Sequence, residues 1–91
     1  MRIIHKSQLD VGKEIRELSL PEDAKIHHVG IQHDEVTFWY SYCNKKEVVT
    51  RNFCVVGTGW EFQENTHIHG TCIDGVGYVW HLVEVLDDPS Q

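Results

Sequence analysis

Arg51, Gly57, Thr58, Gly59 and Trp60 stand close together in RNFCVVGTGWEF. Residues of these types could hold a small anion. Bare glycine backbone and a threonine hydroxyl offer donors, arginine adds charge, and tryptophan offers a face to a flat ring. The competing reading is a turn in which glycine only supplies positive φ. The stretch is not a P-loop, which needs GxxxxGK[ST], and not a dinucleotide fingerprint, which needs GxGxxG opening a helix. His67 and His69 lie two apart on a strand and so share a face. They could begin a metal site, with His81 or Glu84 as a further ligand, but an HxH…E…H spacing is absent. No metal and no cofactor are therefore assigned. No serine sits in a GxSxG elbow, and no catalytic residue is assigned. The expected class is a binder rather than an enzyme.

Short strands cut by turns must position these residues. RIIHKSQL reads as a first strand. KEIREL has apolar residues that also fit helical spacing, but Pro21 follows closely and so short a helix is marginal, so the expectation is a strand forming a hairpin with the first. In KIHHVGIQ the parity slips between Ile26 and the pair Val29 and Ile31, which signals a bulge or a close backbone approach around Gly30. EVTFWYSYC alternates cleanly, with Val36, Phe38, Tyr40 and Tyr42 on one face and Trp39 on the other. VVTRNFCVV follows, and THIHGTCI and YVWHLVEVL form a hairpin around DGVG. Six or seven such strands predict an all-β fold, a small antiparallel sandwich or barrel with little or no helix. The single domain is expected over 1–87, with a frayed tail at 88–91.

Trp39, turned away from the expected core, and Trp80, on a strand apolar on both faces, suit an interface between copies of the chain. The length of 91 residues fits one domain. A net charge of −6, with the basic residues scattered, argues against binding duplex nucleic acid through its phosphates. No apolar run reaches the roughly 18 residues of a membrane span. The three cysteines have no CxxC spacing. With no signal peptide at MRIIHKSQLD, they read as free thiols in a reducing cytoplasm.

The ordered set IHK…HVGxQ…VGTG…GT…WHxxE resembles a family of small uncharacterised proteins of tailed bacteriophages, over nearly the whole chain. In that family GTG is usually followed by His, where this chain has Trp60. The resemblance implies a phage accessory protein in the cytoplasm of the infected bacterial host, and it implies no mechanism. By analogy with other phage proteins, the expectation is a counter-defence protein: a homo-oligomer that sequesters a small anionic, nucleotide-derived signal. The alternatives are a module that binds and inhibits a host protein, and a metal-dependent hydrolase built on His67 and His69.

Overall fold

Alternating apolar and polar residues set the strands, and the turns between them carry the residues that tolerate positive φ. A computed structural model describes residues 1–44 and 47–86. In it the chain forms seven strands: β1 (Arg2–Leu9), β2 (Gly12–Pro21), β3 (Lys25–Gln32), β4 (Glu35–Cys43), β5 (Val48–Gly57), β6 (Thr66–Ile73) and β7 (Val79–Val85). They lie in two antiparallel sheets, ordered β1-β4-β3 and β2-β5-β7-β6. The result is an all-β sandwich, flattened to 39 × 35 × 15 Å, as two stacked sheets require. The expected tail 88–91 lies outside the described residues, as do Lys45 and Lys46.

The KEIREL segment is a strand, but it does not pair with the first. β1 pairs with β4 and β2 with β5. Only Asp10 and Val11 separate the two strands, so the chain steps directly from one sheet to the other. A hairpin would have placed Leu9 and Leu20 in one layer; here they seal the core from opposite layers. Phe38 of β4 and Phe53 of β5 stack across the centre with ring centroids 5.3 Å apart. The parity slip in β3 is a bulge between Ile26 and His28. The extra residue, His27, lets Ile26, Val29 and Ile31 all turn toward the core. Gly30 is not the bulge. It provides room on the outer face, where an added Cβ would sit 3.5 Å from the Trp39 ring.

β5 and β7 bury both faces. Phe53, Val55 and Leu82 enter the main core, while Cys54, Val56 and Val83 form a second buried cluster on the opposite face. That second face needs no partner chain to cover it, contrary to the expectation drawn from Trp80. β5 and β6 both run antiparallel to β7, so they are parallel to each other. The connection 58–65 must therefore return past β7, from the level of Trp80 to that of Val85. That path is roughly 17 Å at strand rise. The inner face is filled by the core, so this segment passes on the outer face, over the second cluster. A hydrogen bond from the Leu86 N–H to the Asn65 carbonyl, 2.9 Å, ties down its far end.

Candidate functional site

The GTG stretch opens this connection. Gly57 closes β5, and the Trp60 N–H donates to the Gly57 carbonyl across 3.1 Å. Gly59, the third residue of the turn, has φ +90°, the signature of a type II turn, where glycine is favoured. The Thr58 N–H donates to the Val79 carbonyl at 3.4 Å. The Thr58 hydroxyl is 2.8 Å from Nε2 of His81, whose Nδ1 is 2.8 Å from the Thr71 hydroxyl. Most donors that could have cradled an anion are thus bonded within the chain. Gly57 has a different task. An added Cβ there would sit 3.0 Å from the Trp60 ring, so Gly57 is the floor on which Trp60 lies.

Arg51 is not beside this turn. It lies six residues upstream on the same strand, about 20 Å away at strand rise. There its Nε and Nη2 each donate to the Glu84 carboxylate at 2.7 Å, and its Nη1 donates to the Ala24 carbonyl at 2.9 Å. The guanidinium also stands 5.6 Å over the Phe53 ring. His69 completes the group, with Nε2 2.8 Å from Glu84 Oε1. Burial works to raise the pKa of Glu84, but the bonds from Arg51 and His69 outweigh it and hold it below the usual value. Burial, only partly offset by Glu84, depresses the pKa of His69. The arrangement is a lock that ties β5, β6 and β7 of one sheet together and reaches the Ala24 carbonyl just before β3. It removes Arg51 from the ligand set.

The same lock engages the residues expected as metal ligands. His67 and His69 have ring centroids 4.6 Å apart. Glu84, however, is held by Arg51 through both oxygens, and His81 is held between two threonines. Among the described residues no group of His, Cys, Asp or Glu is arranged to hold a metal ion.

What surrounds the GTG turn is aromatic. Trp60 meets Trp80 nearly edge-on, with centroids 5.6 Å apart and planes at 83°, and Tyr78 lies 6.2 Å from Trp80. Asp74 accepts a hydrogen bond from Trp80 Nε1 at 3.0 Å and holds that ring in place. Together with Gly57, Thr58 and Val79 these rings line a cleft of about 200 Å³ that contains no cation. Trp80 is thus half-buried within its own chain rather than presented as an interface anchor.

Trp39 does face outward, at the centre of the β1-β4-β3 sheet. Register places Lys6 on one side of it and His28 on the other. The His28 ring is 5.6 Å from the indole, and Lys6 is steadied by a bond to Gln32. The next row on this face holds Ile4, Ser41 and Lys25. Arg2 donates to Ser41 Oγ at 3.0 Å, and His27 Nε2 is 2.6 Å from the same oxygen. This pair does not make a hydrolytic dyad. Ser41 is only 6% exposed, and among the described residues no carboxylate holds the other nitrogen of His27. Of the eight Lys and Arg in an acidic chain, Arg2, Lys6 and Lys25 gather here. The acids nearby are Asp23, bonded to Arg2 and to the Cys43 N–H, and Glu35 at the far end of the sheet. An open hollow of about 490 Å³ lies against Ile4, His5, Lys6 and Trp39. None of these neighbours of Trp39 was singled out from sequence. Finding them needs the pairing of β4 with β1 and β3, which alternation alone does not give.

Fold and surface together define the class only as a small, all-β antiparallel sandwich with an aromatic, locally cationic sheet face. The chain belongs to the family described as a domain of unknown function, DUF7352, whose profile matches residues 1–91. No curated protein and no solved structure matches it.

Proposed function

We propose that this protein is a non-catalytic binder of a small, nucleotide-derived anion, and that the ligand rests on the outer face of β1-β4-β3. The observation that carries the reading is the row Lys6–Trp39–His28, with Arg2 and Lys25 beside it, in a chain of net charge −6. Trp39 offers a ring face for stacking, and the cations suit a phosphate. The resemblance to small phage proteins supplies a setting: an accessory protein that sequesters a host signal in the cytoplasm of the infected cell. Self-association through this same face would close the ligand between two copies, with Trp39 and the exposed Ile4 as apolar anchors.

Thermal shift against cyclic nucleotides and ADP-ribose derivatives tests the reading. A ligand at 100 times its Kd stabilises the folded state by about 2.7 kcal/mol. Trp39→Ala is expected to weaken binding by about 1–3 kcal/mol, the worth of one stacked base. Lys25→Ala should weaken it in a salt-dependent way. No shift with any member of the panel, or equal affinity in the Trp39 variant, overturns the assignment. Retention of one stoichiometric host protein, with no small ligand bound, would favour the inhibitor reading instead.

A further inference from the structure

The cleft beside the GTG turn has walls that the anion reading leaves unused. We infer that it is a site for a quaternary ammonium group, free or carried on a methylated side chain. Trp60 and Trp80 meet at 83° and Tyr78 and Trp80 at 50°, and all three line the cleft, so the rings form walls rather than a flat stack. Aromatic faces set around a small cavity attract an organic cation through their quadrupoles. The cavity of about 200 Å³ has room for such a head group.

Two further observations choose the ligand. First, the lining residues Gly57, Thr58, Trp60, Tyr78, Val79 and Trp80 include no carboxylate. The Gly57 and Val79 carbonyls already accept from the turn, and Thr58 is bonded to His81. A primary ammonium or a guanidinium would lose its water there and find few acceptors, at a cost. A quaternary ammonium has no N–H to satisfy. Second, no Lys or Arg follows Arg51 in the sequence, while Glu61, Glu64 and Asp74 do. In space, Asp10, Asp34, Glu35 and Asp74 line a hollow that also reaches Trp80, so carboxylates flank the cleft and favour a cation over an anion. Asp74 sets this up indirectly, by fixing the Trp80 ring through Nε1.

The test is titration of the intact protein with choline, following tryptophan fluorescence and calorimetry. 3,3-Dimethylbutanol, the uncharged carbon isostere, and ammonium chloride serve as comparison probes. The expected result is saturable choline binding, about tenfold tighter than the isostere, with no saturation by ammonium. Trp60→Ala should abolish it and Trp60→Phe should restore part of it, with circular dichroism showing both variants folded. A trimethyl-lysine peptide binding more tightly than choline would identify a protein-borne cation, and equal binding a free one. Equal affinity for choline and its isostere would show simple apolar burial and overturn the inference. So would the absence of saturation, or unchanged binding in Trp60→Ala. The Trp39 face is not involved, so Trp39→Ala should leave choline binding unchanged.

Discussion

Glu84 and His69 make the stability of this protein sensitive to acid, and the sign follows from their surroundings. His69 is held neutral by burial, with its pKa below the ordinary 6.5. As pH falls through that value the unfolded chain takes up a proton that the folded chain resists, so stability declines from about pH 6.5 downward. Glu84 also has a lowered pKa, so its contribution is present above 4.5 and is lost as pH falls through its folded value. Urea unfolding across pH should therefore show a monotonic loss below neutrality. His69→Phe should flatten the upper part of that curve. Glu84→Gln should cost about 3 kcal/mol at pH 7, because Arg51 would be left as a half-paired buried charge. A pH-independent midpoint between 7 and 5 would contradict the account.

The two glycines of the turn are expected to fail differently. Gly59→Ala meets no atom within 4 Å but must adopt φ +90°, which costs about 1 kcal/mol or slightly more. It should leave the aromatic cleft intact. Gly57→Ala places a methyl 3.0 Å from the Trp60 ring. It should displace that ring, with a change in tryptophan emission and loss of choline binding. Melting curves paired with emission spectra separate the two.

At the scale of elements, the sandwich is closed where β3 meets β6. An added Cβ at Gly70 would lie 2.8 Å from Val29 Cγ2 and 3.0 Å from its Cβ, so the two strands approach closely only because Gly70 has no side chain. β-Branched Val29 has few alternative rotamers. Gly70→Ala is expected to cost about 1–3 kcal/mol by overpacking. Val29→Ala in the same chain should recover part of that loss, measured as a non-additive double-mutant cycle. Strict additivity would mean that the two strands do not meet at these residues. The connection 58–65 shows the same economy. One segment forms the turn, supplies Trp60 to the cleft and shields Cys54, Val56 and Val83. Burial raises the Cys54 and Cys72 thiols above their ordinary pKa. Cys43, which is partly exposed, should therefore be the first of the three to react with a thiol reagent in the folded state.

At the scale of the molecule, charge is divided. The basic residues all fall at or before Arg51, and three of them stand on the outer face of β1-β4-β3. The aromatic cleft sits in the part of the chain that has no Lys or Arg. On the two readings proposed above, one face takes an anion and one end a cation. Because the second face of β7 is covered from within the chain, the fold is expected to stand without a second copy. Sedimentation of the protein and of Trp39→Ala separates the two issues. If copies associate through the Trp39 face, the variant should sediment as a monomer and melt within a few degrees of the parent. A variant that is monomeric and largely unfolded would show that the partner is part of the fold.

Strand existence, the shared face of Val36, Phe38 and Tyr40, and the hairpin around Asp74 were all legible in the sequence. Each rests on local rules: period-2 alternation and turn chemistry act within a few residues. The bulge in β3 was legible too, as a slip in parity, although its residue was His27 rather than Gly30. What alternation cannot report is which strand pairs with which. The step of the chain between sheets at Asp10 and Val11 separated β1 from β2, and that pairing decided every cross-strand neighbour. It moved Arg51 from an expected ligand contact to the lock with Glu84, brought Lys6 and His28 to either side of Trp39, and set Trp60 against Trp80. Such contacts join residues tens of positions apart, and they are chosen by burial of the whole core rather than by any local preference. The sequence by itself determined the strands and their inward faces; the tertiary structure alone decided which outward residues meet.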